Sequence, residues 1–232
     1  VDGFPTGSRS TLESRVVKFM VADADNPGSI LFSINQAREN LRTLRDVVPR
    51  ESYKLINEFH RFAQQRLGRA TSMRSRQELL GDVISYCQQL TGLLEGTMSH
   101  NETYQFLRLG RNLERADMTS RVLDVAGELI DDTSVEIGSH ETTFWVNVLR
   151  STSGYQAYRQ QVKSRITPAG VVSFLLADRQ FPRSIVHCLS ELESAAQTLP
   201  SNSRPRKAIR RANKELAELG LRELVRESLH QE

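Results

Sequence analysis

Five of the seven charged side chains in one stretch of the chain, residues 107–124, could bind a charged small molecule. They are Arg108, Arg111, Glu114, Arg115 and Asp117. Arginine holds a carboxylate or phosphate through two parallel hydrogen bonds, and a carboxylate accepts hydrogen bonds from an amine. These residue types therefore suit a ligand that is anionic or zwitterionic.

The periodicity of the surrounding residues indicates how buried these charges are. Apolar residues recur every three or four positions and predict a helix over about residues 103–130. One stripe comprises Phe106, Leu109, Leu113, Ala116, Ser120, Leu123, Gly127 and Ile130, and a second comprises Leu107, Met118, Val122, Val125 and Leu129. Because the stripes lie on roughly opposite sides, we expect a central helix that is covered on both faces.

The charges fall close to the second stripe. Arg111 and Glu114 lie within it and Arg108 and Arg115 at its border, so we expect at least two charges in a partly buried layer. Buried charges need partners, because an unpaired one is costly. Three interpretations remain open: an internal Arg111–Glu114 pair that fixes helix packing, a layer that lines a ligand pocket, and a solvated face.

A second group of arginines lies on an earlier predicted helix, which begins at Pro27 and ends at about Val48. Arg38, Arg42 and Arg45 form one edge of this helix, with Asn40 beside them. A solvated face and a contribution to anion binding are both compatible with this pattern.

Two segments of the chain match each other without a gap. Residues 19–35 and 174–190 share Phe, Ala, Asp, Pro, Ser and Ile at identical positions, which predicts an internal duplication. Each copy has a turn with an aspartate, Asp23 or Asp178, and a serine six residues later. We expect each aspartate to accept hydrogen bonds from its turn or the next helix. The alternative is that both turns face one shared site.

The whole chain has a helical pattern, and we predict an all-α multi-helix bundle. The predicted helices cover about 10–22, 27–48, 51–67, 77–98, 103–130, 142–149, 155–162, 168–178, 183–199, and 206 towards the end. We expect a flexible lead at 1–9 and one domain at 10–232, with repeat units around 10–48 and 165–199. In the first repeat the counterpart of Glu114 would precede residue 1, so we expect a matching helix to lie on an upstream segment or another subunit.

Composition excludes several classes of protein. The net charge of the 232 residues is only +3, and this near balance argues against a nucleic-acid coat or a membrane-surface protein. Of the 31 basic residues, 26 are arginine. No apolar run is long enough to span a bilayer and no signal peptide is evident, so we expect a cytoplasmic protein. Cys87 and Cys188 are isolated and are predicted to be buried thiols in a reducing compartment.

The motifs resemble those of one family. ERAD at 114–117, AREN at 37–40, NPGSI at 26–30 and FLLADRQFPRSI at 174–185 are similar to the alpha-E domain family, which is named for its helices and a Glu–Arg motif. The resemblance covers nearly the whole chain. Family members look like double repeats with a Glu–Arg motif near the N-terminus as well, and this chain lacks that first motif.

The resemblance implies a function. Members are often encoded beside, or fused to, a circularly permuted ATP-grasp protein, and ATP-grasp enzymes join a carboxylate to an amine through an acyl phosphate. It therefore implies an accessory domain of an amide or peptide ligase system, with Glu114, Arg115 and Asp117 at the motif positions and Arg108 and Arg111 before them. A peptide or amino-acid substrate would fit these residues.

No catalytic residue is recognisable in the sequence. The five histidines are scattered without metal-ligand spacing, and no glycine-rich phosphate loop or nucleophile elbow is present, so we expect no metal and no cofactor. The leading hypothesis is the accessory domain, with ligase activity supplied by an ATP-grasp partner. The alternative is a non-catalytic structural or assembly module, and a homo-oligomer is left open. A weaker hypothesis is RNA or phosphate binding through Arg204, Arg206, Arg210 and Arg211.

Overall fold

A computed structural model of the chain describes residues 9–68, 73–131, 141–162, 165–200 and 203–218. Within these ranges the chain is all-α and contains no strand, which confirms the predicted fold class. The helices are α1 (Arg9–Ala22), α2 (Ile30–Thr43), α3 (Arg50–Arg66), α4 (Met73–Thr97), α5 (Glu102–Asp131), α6 (Glu141–Ser151), α7 (Tyr155–Gln161), α8 (Pro168–Ala177), α9 (Ile185–Gln197) and α10 (Ser203–Glu218). The flexible lead predicted at 1–9 falls almost entirely outside the described residues, as does the predicted helix beyond residue 218.

Contacts between helices divide the chain into two compact units, residues 1–99 and 100–232. The first unit contains α1 to α4 and the second contains α5 to α10. The single domain expected over residues 10–232 stays a prediction, as does the internal duplication.

In the first unit, α2 packs on α1 and α3, and α3 packs on α4. Ile56, Phe59 and Ala63 are buried on α3, and their spacing of three and four residues places them on one helix face. The rings of Phe59 and Tyr86 stack with 4.7 Å between their centroids. The apolar stripe of α3 therefore contributes Phe59 to the contact with α4.

In the second unit, α9 is the common neighbour of α5, α8 and α10. Leu189, Leu192 and Ala196 of α9 form an apolar cluster with Ile209 and Leu216 of α10. A second cluster joins α6, α7 and α8 and contains the buried side chains of Trp145, Leu149, Tyr158, Ile166, Val171, Phe174 and Leu175. The position of α9 makes it the element that holds α5 in place.

Two helices begin later in the chain than predicted. The sequence predicts starts at Pro27 and around Pro182, but α2 begins at Ile30 and α9 at Ile185. The reason is a serine at the N-cap of each helix: Ser29 accepts a hydrogen bond from the N–H of Phe32, and Ser184 accepts one from the N–H of His187. Each proline therefore lies in the turn before the helix. Thr167 followed by Pro168 is a sequence pattern that predicts an N-cap, and the Thr167 hydroxyl does accept a hydrogen bond from the N–H of Gly170 at the start of α8.

The end of α2 also differs. We predicted a helix up to about Val48, but α2 ends at Thr43 and residues 44–47 form turns. The N–H groups of Val47 and Val48 both bond to the carbonyl of Leu44. A tighter turn therefore replaces the last helical turn before Pro49.

The buried face of α5 is neither of the predicted stripes. It carries Tyr104, Gln105, Asn112, Thr119 and Ala126, none more than 6% exposed. The exposed apolar residues of α5 come from both predicted stripes and are Phe106, Leu113, Met118, Val125 and Leu129. The expectation of a helix covered on both faces is therefore wrong for the described residues. The packing of α5 on α9 buries the polar residues that lie between the two apolar stripes.

Candidate functional site

Polar side chains form the centre of the contact between α5 and α9. Gln105, Arg108, Asn112, Arg115 and Thr119, which we call the α5 seam, follow one another at alternating spacings of three and four residues. This spacing places all five on one face of a helix. Gln105, Asn112 and Thr119 are buried, and the side chain of Arg108 is 22% exposed.

Arg108 joins the seam to α9. Its Nη2 donates to Oε2 of Glu191 on α9 at 2.7 Å, and its Nη1 donates to Oε1 of Gln105 at 2.9 Å. The Nε2 of Gln105 in turn donates to the carbonyl of His100 at 3.1 Å. The guanidinium is therefore held by two side chains, one on each helix.

Asn112 lies one turn beyond Arg108, and only one of the two polar atoms of its side chain makes a hydrogen bond. Its Nδ2 donates to the carbonyl of Arg108 at 2.9 Å. Its Oδ1 is buried and has no hydrogen-bond partner among the described residues. A buried acceptor without a partner costs about 1–3 kcal/mol. The seam thus contains a buried acceptor that no described side chain or backbone group satisfies.

The other end of the seam meets the turn that precedes α9. The hydroxyl of Thr119 donates to the carbonyl of Arg183 at 2.8 Å. Burial raises the pKa of the nearby Cys188 thiol, and the positive charges of Arg115 and Arg183 oppose that rise. Cys188 is buried as predicted, whereas Cys87 is exposed, so that part of the prediction is wrong.

The remaining predicted residues of α5 lie away from the seam. Glu114 is exposed and Arg111 is partly exposed. The carboxylate of Asp117 lies 2.8 Å from Nε of Arg121 in a pair on the helix surface. The face of α5 that is turned towards α9 is centred on Arg108 and Arg115, which the sequence placed at the border of the second apolar stripe. The partly buried charged layer therefore lies around these two residues and not around Arg111 and Glu114.

Asp178 and Asp23 each organise a turn before a capped helix. The carboxylate of Asp178 accepts hydrogen bonds from the N–H groups of Gln180 and Phe181, at 2.8 and 2.6 Å. Its backbone carbonyl accepts from the hydroxyl of Ser184. In the first unit the Asp23 carboxylate accepts from the N–H of Asp25 at 2.9 Å, and the Asp23 carbonyl accepts from the Ser29 hydroxyl. The predicted hydrogen-bonding role of both aspartates is confirmed.

Arg38 and Asn40 belong to the first unit. The Nε of Arg38 donates to Oδ1 of Asn57 on α3 at 2.8 Å, and Asn57 donates to the carbonyl of Tyr53. Asn40 is exposed near the end of α2. Arg38 thus links α2 to α3, while its predicted contribution to anion binding stays a prediction.

Four residues of the site were missed by the sequence analysis. Glu191 was not considered, because it lies 83 positions from Arg108. Gln105, Asn112 and Thr119 were overlooked because apolar residues alone were used to find the buried face. The alternating spacing of these polar residues is the signal that could have found them.

The described side chains and helices also bear on metal binding and on membrane insertion. In the part of the chain that is described, no three His, Cys, Asp or Glu side chains come together as they would around a metal ion. None of the described helices is both long enough and apolar enough to cross a bilayer.

These features define a chain whose described residues are all-α and whose longest described helix, α5, carries a Glu–Arg dipeptide at Glu114–Arg115, beside a buried polar seam. A family model described as "a predicted alpha-helical domain with a conserved ER motif" matches residues 2–232. The chain therefore belongs to the Alpha-E family.

The chain is also similar to three mycobacterial proteins, each described only as uncharacterized. One, from Mycobacterium bovis, is 22% identical over 204 residues, a match that covers 85% of this chain and 22% of the relative. Two from Mycobacterium tuberculosis are 22% and 21% identical over the same length and with the same coverage. The chain thus spans about a fifth of the length of the curated relatives it matches. No solved structure matches it.

Proposed function

We propose that this chain is an accessory helical domain of an ATP-grasp-type amide or peptide ligase system, and that the α5 seam binds the substrate or the ligase. The chain belongs to the Alpha-E family, and the resemblance to that family implies that its members are encoded beside, or fused to, ATP-grasp proteins. The ligase would supply the ATP site and the chemistry. We assign the system to the cytoplasm.

The composition of the seam is suited to a peptide or an amino acid. Arg108 presents a guanidinium that a second carboxylate could share with Glu191. The Oδ1 of Asn112 is an acceptor for an amine, and it lies on the same helix face one turn away. Arg108 would contact a carboxylate and Asn112 an amine, and these are the two groups that an amide ligase joins.

The single observation that carries this proposal is the unpartnered Oδ1 of Asn112 beside the Arg108–Glu191 pair. A seam whose only role was packing would gain stability from an apolar residue at position 112. Retention of a half-satisfied amide is accounted for when a ligand completes its hydrogen bonds.

A structural or assembly module is the second candidate. It is favoured by the ion pair itself, because Arg108 and Glu191 join two helices and have the partners that packing requires. In this case the charges set how α5 lies on α9, and no ligand is needed.

A charge exchange separates the two candidates. Arg108→Glu and Glu191→Arg are made singly and together, and both the free energy of unfolding and the rate of ligation by the neighbouring ATP-grasp enzyme are measured. Packing alone predicts that the double variant recovers stability and ligation. Binding predicts that the double variant recovers stability while ligation stays low, because position 108 no longer presents the guanidinium that contacts the carboxylate of the ligand.

Arg121→Ala is the matched control, since Arg121 forms an exposed pair with Asp117 on another face of the same helix. It should leave both measurements unchanged. Full ligation with a folded Arg108→Ala variant would contradict binding at the seam. A chain that is neither fused to an ATP-grasp gene nor encoded beside one would contradict the ligase assignment.

A further inference from the structure

A cavity of about 330 Å³ lies within the first unit, between α1 and the beginning of α4. Leu67 and Leu79 line it and are almost completely buried, so they form its floor. Met20 and Met73 also line it but are 47% and 67% exposed, which places them at its mouth. Small-molecule sites have volumes of roughly 300–1,000 Å³, and this cavity lies within that range.

An ion pair lies in the wall of this otherwise apolar cavity. The Nη2 of Arg76 on α4 is 3.0 Å from Oε1 of Glu13 on α1, and both residues line the cavity. The side chain of Arg76 is 20% exposed and that of Glu13 is 58% exposed. A cation and an anion are thus presented side by side next to apolar space.

This arrangement selects among classes of ligand by charge. A simple carboxylate would pair with Arg76 but would lie beside the like charge of Glu13, and a simple amine would face Arg76. A zwitterion can pair its carboxylate with Arg76 and its ammonium with Glu13, so that every charge keeps a partner. The apolar cavity then accepts an aliphatic or aromatic group.

We propose that this cavity binds a free α-amino acid with an apolar side chain, such as leucine or phenylalanine. The carboxylate contacts Arg76, the ammonium contacts Glu13, and the side chain lies against Leu67 and Leu79. The site is separate from the α5 seam, and the proposal does not rest on the ligase function.

The methionines provide a test in the unmodified protein. The chain has four, and Met20 and Met73 line the cavity while Met98 and Met118 do not. The 232-residue chain is labelled with ¹³C at the methionine methyl groups, titrated with L-leucine and followed by NMR. Shifts at Met20 and Met73 are expected, with Met98 and Met118 unchanged. Unchanged spectra at millimolar leucine, or equal shifts at all four methyl groups, would overturn the proposal.

Ligand analogues test the zwitterion directly. We expect 4-methylpentanoate and 3-methylbutylamine, which each lack one charge of leucine, to bind about tenfold more weakly than leucine. In a Glu13→Gln variant the difference between leucine and 4-methylpentanoate should shrink. A carboxylate that binds the wild type as tightly as leucine does would overturn the proposal.

A filled cavity is the final control. Val17→Trp places a large side chain in the cavity wall and should abolish leucine binding in a folded protein. Val47→Trp, at an exposed turn outside the cavity, should leave binding unchanged. Binding that survives Val17→Trp would show that the ligand lies elsewhere. If Val17→Trp does not fold, the methionine titration of the wild type still decides.

Discussion

The Nη2 of Arg108 lies 2.7 Å from Oε2 of Glu191, and this pair joins α5 to α9 across 83 positions of sequence. The two side chains are 22% and 35% exposed, whereas those of the Arg121–Asp117 pair on the same helix are 68% and 44% exposed. Because water screens an ion pair less when it is partly buried, the Arg108–Glu191 pair should hold the two helices together more strongly than a surface pair would.

The first prediction concerns this pair. Glu191→Ala leaves the guanidinium of Arg108 in a partly buried place without its carboxylate and should lower the free energy of unfolding by about 1–3 kcal/mol. Asp117→Ala removes a surface pair of the same type and should lower the free energy of unfolding by much less, because water screens that pair. Urea denaturation of both variants measures the difference. Equal losses in the two variants would show that partial burial of the Arg108–Glu191 pair does not increase its contribution to the free energy of unfolding.

The second prediction concerns a close approach at the start of α8. A Cβ added at Gly170 would lie 2.5 Å from the hydroxyl oxygen of Tyr158, whose side chain is fully buried and cannot move aside easily. Gly170→Ala should therefore lower the free energy of unfolding by about 1–3 kcal/mol.

Gly110 provides the matched control. It is exposed within α5 and has open space where a Cβ would lie. Gly110→Ala should raise the free energy of unfolding by about 0.5–1 kcal/mol, because alanine loses less backbone entropy than glycine in a helix. Thermal denaturation of the two variants should give shifts of opposite sign, and shifts of the same sign would contradict the close contact.

The third prediction concerns the two capped turns. Ser184 is fully buried, and its hydroxyl both accepts from the N–H of His187 and donates to the carbonyl of Asp178. Ser184→Ala removes both bonds and should cost about 1–2 kcal/mol. Ser29→Ala removes the matching bonds before α2 and should cost a similar amount.

Ser190→Ala, at an exposed position within α9, is the control for these cap variants and should change stability by less than about 0.5 kcal/mol. Chemical denaturation is again the measurement. If the two cap variants were no less stable than the control, the hydroxyls would not be stabilising the helix starts.

The fourth prediction is a dependence on pH. Burial raises the pKa of the Cys188 thiol above its usual value near 9.0, and Arg115 and Arg183 reduce that rise. The folded chain therefore keeps the thiol proton at pH values where the unfolded chain has lost it. Since the unfolded state then binds fewer protons, the stability contributed by the protonated thiol is complete below about pH 9 and falls as the pH rises through the folded pKa.

A comparison with Cys188→Ala isolates this effect. The free energy of unfolding of the wild type, relative to that of the variant, should be constant between about pH 7 and 8 and should fall above about pH 9, by at most about 1.4 kcal/mol per pH unit. Urea denaturation at a series of pH values measures the difference. A difference that stays constant up to pH 10 would show that the thiol titrates as it does in the unfolded chain.

Much of the local structure could be predicted from the sequence. Periodic apolar residues predicted α3 and α5 to within about one residue at each end, because a period of 3.6 is a property of the helix itself. The cap at Thr167 and the turn bonds of Asp178 were also predicted correctly. These interactions join residues that are close in sequence, so residue type and spacing are enough to indicate them.

The starts of α2 and α9 show where local patterns become ambiguous. Proline is compatible with the first turn of a helix and also with the turn that precedes it. The hydrogen bonds of Ser29 and Ser184 decide between these positions, and each serine also binds the carbonyl of an aspartate six residues before it. The turn as a whole, and not the proline, sets where the helix begins.

The sequence by itself determined that the chain is helical and which residues of α5 share a face. Only the tertiary structure decided which face is buried, because that depends on where α9 packs. Apolar stripes on α5 suggested two buried faces, yet Leu113 and Met118 are exposed and Asn112 is buried. The ion pair between Arg108 and Glu191 forms only in the folded chain, because it joins two helices, whereas the periodicity of the sequence describes a single helix.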